Sequence, residues 1–474
     1  MNGPAAAADP APRPRPWLGA LLLLNVACVV GAEWGRLDWL HYPAAASCLA
    51  ALVLLAPRVR WSRQLFLLIG TLLTVAVFVL APEPWRALWR ALNSMTFIAG
   101  LFVALATLRN AAAGSLAIVR CGLYLADQPP GRRYLALTTG GHLFALVLNY
   151  GAISLFGGLI ERSLKAEPEP TIRAIRTRRM LLAVQRGFIT TLLWSPLTFS
   201  MVISLSVVPG AKWASVLPYS TLAALLLGAT GWALDTLFKP KVAVVPPRKP
   251  QLPGAWRALL PLLGLLVLLM GLVGTLQGLT GLRTVAVVML VVPLLSLAWI
   301  GLQKRPPHAG EAPVPRRLRL LAFLDSDLPN YASELVLLMM AGYIGVLTAT
   351  LLGPAIGHDW LGPHASPLLL VGVLWVVLLA GQVGMNPILS VTLLGPLLPT
   401  AVQLGVDPEL IVLALVSGWA LTGASSPFTA TVMLVGAFGK VSPHRAGLVW
   451  NGAFTLVGGA VLSLWLLAMV LLAR

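Results

Sequence analysis

The chain has 474 residues, of which 58% are hydrophobic and 11% are charged, and its formal net charge is +18. A soluble domain carries about 25% charged residues and about 45–50% apolar ones, so this composition excludes a soluble enzyme and predicts an all-α polytopic membrane protein. A nucleic-acid partner is not expected, because the basic residues are spread over many short loops rather than gathered on one face.

Eleven apolar runs are long enough to be transmembrane helices, since about 20 apolar residues in a helix span a bilayer. The first run follows Arg13 and Arg15 and resembles a signal peptide, but a multispan protein needs no cleaved signal, and we expect this helix to be retained. The runs lie near residues 17–34, 39–57, 64–82, 91–108, 187–208, 214–234, 258–278, 284–302, 330–353, 409–437 and 446–472.

Two further apolar stretches, 134–163 and 366–400, are interrupted near their centres by polar residues, Gly or Pro. Each is predicted to be a re-entrant hairpin that enters and leaves the membrane on one side. With this layout, 28 of the 34 Lys and Arg residues fall on one face, which includes the N-terminus. An excess of Lys and Arg marks cytoplasmic loops, so this face is predicted to be the cytoplasmic face of a bacterial inner membrane. Its longest loops, 161–186 and 235–257, are predicted to be solvated connectors whose charges meet anionic membrane lipid.

A short motif occurs twice along the chain. Asn149 is followed by the segment 195–198, and Asn386 is followed at a similar interval by the segment 426–429. Each segment reads Ser-Pro, then Leu or Phe, then Thr, and the interval between the two Asn residues nearly equals the interval between the two Ser-Pro pairs. We therefore predict this organisation: an N-terminal segment with a lead helix (1–38), a first repeat (39–234), a cytoplasmic linker (235–257) and a second repeat (258–474).

The two repeats are predicted to be inverted relative to each other. Each contains five crossings and one hairpin, and because five is odd, the second copy must enter the membrane upside down. The hairpin 134–163 then opens toward the cytoplasm and the hairpin 366–400 toward the exterior. Inverted repeats are typical of secondary transporters, which bind substrate and ions near the midplane on discontinuous helices.

Pro196 and Pro427 predict a break in the helix that contains each of them. Carbonyl oxygens freed by such a break are costly inside a membrane unless they bind something. With hydroxyl and amide oxygens they suit a hard cation such as sodium, whereas half-helix N-termini favour an anion. The predicted substrate site consists of Asn149, Ser195, Thr198, Asn386, Ser426 and Thr429, and the predicted cation site of Asn149, Gly151, Ser195, Asn386 and Ser426.

Other polar residues near or within the spans have simpler interpretations. A lone Ser-Pro often only kinks a helix, but two copies, each after an Asn-bearing hairpin, favour a functional site. His142, in the first hairpin, is a candidate proton carrier, although a lone His is more often a packing residue. Asp325, Asp327 and Glu334 are expected to form an acidic helix N-terminus near the interface.

The layout resembles that of the ion transporter superfamily, and most closely the divalent anion:sodium symporter family. In that family the hairpin tips carry a Ser-Asn-Thr motif, and Asn149 and Asn386 stand where its Asn would be. Their neighbours are Leu148 and Tyr150, and Met385 and Pro387, so the Ser and the Thr are replaced. The resemblance implies a homodimer in which a transport part slides against a scaffold. Because the Ser and the Thr are replaced, the resemblance predicts the architecture more strongly than it predicts sodium coupling or a dicarboxylate substrate.

The sequence as a whole favours a secondary active transporter for a small anion, coupled to sodium or protons, with no cofactor and no enzymatic activity. No HExxH, G-x-S-x-G or P-loop motif is present. One alternative is a membrane glycosyltransferase-like enzyme that uses Asp325 and Asp327 to bind a metal or a lipid phosphate. It would need an acceptor-binding domain, and outer loops such as 354–365, with His358 and Asp359, are too short for one. A passive channel is the third alternative.

Overall fold

The computed structural model describes residues 16–165, 167–239, 255–303, 316–355 and 366–472. All regular secondary structure in this part of the chain is helical, and eleven of its helical segments are long and apolar enough to cross a membrane. The predicted all-α polytopic class is therefore confirmed. Residues 1–15, most of the predicted linker (240–254) and the loop with His358 and Asp359 lie outside the described residues.

The described part of the first half contains ten α-helices. Proline occupies the first turn of several of them, where its missing N–H costs no hydrogen bond. They are α1 (Pro16–Gly35), α2 (His41–Leu55), α3 (Trp61–Leu80), α4 (Pro84–Ala113), α5 (Leu116–Ala126), α6 (Pro130–Leu148), α7 (Gly151–Leu164), α8 (Pro170–Trp194), α9 (Phe199–Val207) and α10 (Trp213–Leu237).

The described part of the second half contains eleven α-helices. One π-helical turn, Phe323–Asp327, follows the third of them, and another, Arg445–Trp450, precedes the last. They are α11 (Leu260–Thr280), α12 (Thr284–Leu302), α13 (Arg316–Ala322), α14 (Leu328–Asn330), α15 (Ala332–Leu352), α16 (Ser366–Gln382), α17 (Pro387–Leu394), α18 (Ala401–Leu404), α19 (Pro408–Ser425), α20 (Ala430–Gly439) and α21 (Asn451–Leu472).

The predicted solvated connector 161–186 is largely helical. α8 begins at Pro170, well before position 187, where the span was predicted to start, and its residues from Met180 to Leu193 are buried. Arg and Lys favour helices almost as strongly as Leu does, so the basic run 173–179 extends the helix instead of ending it. The prediction of a connector was wrong from Pro170 onward.

Buried apolar side chains form two packed clusters, and each draws on both halves of the chain. One cluster centres on α1, α2, α4 and α15, and the other on α5 to α10, α12, α16, α19 and α21. Phe199 of α9 and Ile388 of α17 pack against both clusters. These two residues lie just after an interruption in the helical chain, so the interruptions meet where the clusters meet.

Candidate functional site

The two Ser-Pro segments interrupt their helices, as the sequence predicts. α8 ends at Trp194 and α9 begins at Phe199, whereas α19 ends at Ser425 and α20 begins at Ala430. The backbone is extended at both Ser residues, with φ −76° and ψ 129° at Ser195 and φ −69° and ψ 123° at the second. Pro196 and Pro427 cannot donate a backbone hydrogen bond, which is why neither helix continues through its break.

The hydrogen bonds of the two breaks also match. The hydroxyl of Ser195 accepts a bond from the N–H of Leu197 at 3.2 Å, and the hydroxyl of Ser426 accepts one from Phe428 at 3.3 Å. The Thr198 hydroxyl donates to the Ser195 carbonyl at 2.8 Å, and Thr429 donates to the Ser426 carbonyl at the same distance. The repeated motif therefore folds into the same local structure twice.

The two Asn residues lie in the turns that join α6 to α7 and α16 to α17. Asn149 has a positive φ of 53°, and its Oδ1 accepts a hydrogen bond from the Tyr150 N–H at 2.8 Å. Asn386 caps α17, with its Oδ1 accepting from the Ile388 N–H at 2.9 Å. In the second turn the positive φ, 92°, falls instead on Gly384. Both side chains thus hold a turn at the start of the following helix.

Each hairpin packs against the second half of the other copy's broken helix. Gly157 of α7 lies against the ring of Phe438 in α20, and Gly395, just after α17, lies against Val207 of α9. The two glycines, like the two residues that they contact, are separated along the chain by nearly the same interval as the copies of the sequence motif. The packing agrees with two related copies, while their domain boundaries and inverted orientation stay predictions.

A cavity of about 510 Å³ lies where the breaks and turns meet. Its wall includes five of the six residues predicted for the substrate site: Asn149, Thr198, Asn386, Ser426 and Thr429. Aromatic side chains form much of the remaining wall, among them Phe188, Phe199 and Trp419. Such a mostly apolar pocket with a few convergent polar groups is typical of small-molecule sites.

Three predicted residues are not among the cavity's lining residues. Ser195 is fully buried beside it. Gly151 lies in the first turn of α7, and a methyl group at its position would be 3.6 Å from Nε of Arg109. His142 bonds through Nδ1 to the Thr190 hydroxyl at 2.7 Å and stacks on Trp194, with 5.7 Å between ring centroids. Their roles in cation binding and proton transfer stay predictions.

The cavity wall also contains two charged residues that the predicted site lacks, Arg63 and Glu334. They are the third residues of α3 and α15, so in the sequence they resemble ordinary interface residues at the start of a span. A third charge, Arg109, lines an adjoining cavity of about 30 Å³ that shares Asn149 and Tyr150 with the larger one. The guanidinium carbon of Arg109 is 4.9 Å from the centroid of the Tyr150 ring.

A buried hydrogen-bond network contacts the last turn of α19, just before the second break. Arg186 is 6% exposed and donates to Asn451 Oδ1, to the Tyr134 hydroxyl and to the Gly231 carbonyl, each at 3.2 Å. Asn451 in turn donates to Gln185 Oε1 at 2.9 Å. The Gln185 amide then bonds the carbonyls of Gly423 and Ala424, in the last turn of α19, at 3.3 and 3.2 Å. This network could not be predicted from the sequence, because its members come from distant segments.

The acidic pair on the π-helical turn lies near α4, and Oδ1 of Asp325 is buried without a hydrogen-bond partner. Asp327 accepts a hydrogen bond from the Asn110 amide at 2.7 Å. Burial raises the pKa of Asp327, and the Asn110 hydrogen bond opposes that rise. Among the described residues, no three His, Cys, Asp or Glu side chains come together in a group that could hold a metal ion.

No protein-family profile and no curated protein matches the sequence. Among solved structures, the fold is similar to that of the Alcanivorax borkumensis YdaH transporter, whose crystal structure is described as revealing an unusual topology. The TM-score is 0.52 with 16% sequence identity, and the match covers 85% of this chain and 98% of the YdaH chain.

At this level of identity the similarity shows the fold alone. The chain is therefore an integral membrane protein with the fold of a known membrane transporter. Membership of the divalent anion:sodium symporter family, which the resemblance of the hairpins and breaks implies, stays a prediction.

Proposed function

We propose that the protein is a secondary active transporter that moves a small anion, such as a carboxylate, across the inner membrane by alternating access, coupled to sodium or protons. The observation that carries this proposal is the single cavity whose wall combines both helix breaks with both Asn-bearing turns. A repeated sequence motif whose two copies converge on one cavity is the arrangement expected of a transporter with its site between repeats.

The chemistry of the cavity suits an anion. The N-terminal ends of α9 and α20 begin at the two breaks, and free N–H groups at a helix N-terminus favour negative charge. The Thr198 and Thr429 hydroxyls line the same space. A volume of about 510 Å³ falls within the range of about 300–1,000 Å³ typical of organic ligand sites.

The position of the cavity suits alternating access. It lies between the two packed apolar clusters, with Phe102 and Leu338 from one cluster and Phe188 and Trp419 from the other. Sliding of one cluster against the other would carry the site from one side to the other without unfolding either. The cytoplasmic N-terminus, the inverted repeats and the homodimer belong to this proposal as expectations.

The test is uptake by the purified full-length protein in liposomes, with radiolabelled succinate, glutamate, benzoate, phosphate and sulfate. A sodium gradient and a proton gradient are imposed separately. We expect saturable uptake of at least one anion that accumulates under one of the gradients. Non-saturable flux that ignores both gradients would instead indicate a channel, and transfer of a sugar to a lipid acceptor would indicate an enzyme.

A matched pair of variants links the activity to the cavity. Thr429→Ala removes a hydroxyl from its wall, and we expect half-saturation to rise about fivefold, since one hydrogen bond contributes about 1 kcal/mol. Thr275→Ala is the control, because the Thr275 hydroxyl is exposed on α11 and bonds only the Gly271 carbonyl of its own helix. Equal kinetics for the two variants would place the site elsewhere.

A further inference from the structure

The cavity wall contains one carboxylate, Glu334, among its described lining residues, and that carboxylate forms no ion pair. Arg63 lines the same cavity without pairing with it. The ion pairs among the described residues are Arg86–Glu83, Arg176–Glu167, Arg179–Asp235 and Arg283–Glu33. A carboxylate within a membrane-spanning helix that faces a cavity without an ion-pair partner is a functional candidate.

A fixed cation lies beside Tyr150, a residue that lines the same cavity as this carboxylate. The guanidinium carbon of Arg109 is 4.9 Å from the Tyr150 ring centroid and 5.1 Å from that of Tyr331. Tyr150 lines the large cavity together with Glu334, and Tyr331 lies three positions before Glu334 in the chain. The two tyrosines therefore have a permanent positive charge and an acidic group as neighbours in one small region at the start of α15.

The other elements packed on α15 bring few charges to this region. α3 contributes Arg63, and the turn before α3 carries Arg58. α4 contributes Arg109, while α17 and the turn after it contain no titratable residue. Asp327, on the turn that precedes α14, is hydrogen-bonded to Asn110 of α4. The local balance is thus cationic, with Glu334 as the acidic group that faces the cavity.

Arg109 is suited to hold the anion. A planar guanidinium offers paired donors that match a carboxylate or phosphate, and Arg109 also lies beside Gly151, in the first turn of α7. An anion held by Arg109 would lie where the adjoining cavity meets the larger one that Glu334 lines, since Asn149 and Tyr150 line both. Two negative charges at such close quarters repel, and a carboxylate beside a second anion binds a proton more readily.

Two oxygen atoms at the second break, one of them from the predicted cation site, already have hydrogen-bond partners. The Gly423 carbonyl accepts hydrogen bonds from both the Gln185 amide and the Thr431 hydroxyl. The Ser426 hydroxyl donates to the Gly381 carbonyl at 2.7 Å and accepts from the Phe428 N–H. A sodium ion would have to compete with these protein donors, whereas a proton needs only one carboxylate.

We infer that the coupling ion is a proton and that Glu334 carries it while Arg109 holds the anionic substrate. This inference rests on the proposed transport function. Glu334 accepts a proton as the anion binds and releases it on the other side as the anion leaves, so one proton and one anion cross together. By thermodynamic linkage, each of the two then strengthens binding of the other by the same factor.

The test measures proton and anion flux together. Wild-type protein is reconstituted in liposomes with an internal pH-sensitive dye in sodium-free medium, and an inward gradient of the anion identified by the uptake panel is imposed. We expect internal acidification that depends on the anion. Glu334→Gln should reduce this acidification at least tenfold, and its residual uptake should not depend on external pH. Glu334→Asp should restore the pH dependence.

Glu409→Gln is the matched control. Glu409 is a buried carboxylate in the first turn of α19 that does not line the cavity, and its replacement should leave acidification within twofold of wild type. Arg109→Lys should raise half-saturation for the anion several-fold, because the ammonium loses the paired donors.

The outcomes separate the two proposals. Saturable uptake that requires sodium and produces no acidification would support the proposed transport function but refute the proton as the coupling ion. Acidification by Glu334→Gln within twofold of wild type would overturn the role of Glu334. Failure of the wild type to move any anion in the panel would count against the transport function, and this inference would fall with it.

Discussion

Substitution of Gly187 tests whether the backbones of α6 and α8 are in direct contact. A methyl group at Gly187 would lie 2.0 Å from the Thr138 carbonyl oxygen, whereas ordinary contact begins at 3.4 Å. Gly187→Ala therefore requires the two helices to separate by about 1.4 Å, the difference between those distances. Overpacking of this kind costs about 1–3 kcal/mol, and the upper end applies here because the obstacle is backbone that cannot change rotamer.

The related position in the second copy gives a graded comparison. A methyl group at Gly418 would lie 2.5 Å from the Leu374 carbonyl oxygen, so Gly418→Ala needs a separation of about 0.9 Å and should cost less. Gly264→Ala is the control, because nothing lies within 4 Å of the added methyl group. Replacing a helical Gly by Ala otherwise stabilises a helix by up to about 1 kcal/mol.

The assay is the midpoint of thermal inactivation of the purified protein in detergent, followed by the fraction that stays monodisperse after heating. We expect midpoints to decrease in the order Gly264→Ala, wild type, Gly418→Ala, Gly187→Ala. A Gly187→Ala protein as stable as the Gly264→Ala control would mean that α6 does not pack directly on α8, and the hairpin assignment would then be wrong.

Three further predictions use the same stability assay or the uptake assay. Asn149→Gly should be more stable than Asn149→Ala, because φ of 53° and ψ of −138° strain a side-chain-bearing residue by about 1–3 kcal/mol. Asn451→Ala should destabilise more than Arg186→Met, by about 1–3 kcal/mol, because it leaves buried donors and acceptors unpaired while Met removes the charge. Ser200→Ala should weaken anion uptake and Ser204→Ala should not, since both hydroxyls are buried without a partner but only that of Ser200 lines the cavity. Equal thermal midpoints within either of the first two pairs, or equal anion uptake within the third, would contradict the corresponding prediction.

Much of the fold could be predicted because span length and loop charge are local properties of the sequence. Both Ser-Pro breaks were predicted because proline removes a donor wherever it stands in a helix. The start of α8 at Pro170 was not, because a basic run looks like a loop until its partners are known. Arg186 shows the reason: its charge is held by Asn451 and Tyr134, from segments far along the chain.

Some residues of the candidate site could likewise be predicted from the sequence, and others could not. Asn149, Asn386 and the Thr residues of the breaks could be found because each occurs twice at nearly the same offset. Arg63 and Glu334 have no repeated counterpart that marks them, and their position at the start of a span is ordinary for an interface charge. Their place in the cavity wall depends on the packing of α15 against α3, α4 and α17, which no local pattern in the sequence reveals.

The two breaks are alike in backbone geometry but differ in how their polar atoms are satisfied. In the second, the Thr431 hydroxyl donates to the Gly423 carbonyl. The residue in the matching position of the first break is Ser200, whose hydroxyl is buried without a protein partner and lines the cavity. Buried polar atoms are nearly always hydrogen-bonded, so this hydroxyl calls for a partner from the cavity. In the proposed transporter a bound anion supplies that partner, so the proposal predicts a substrate position nearer the first break, on the side of Asn149.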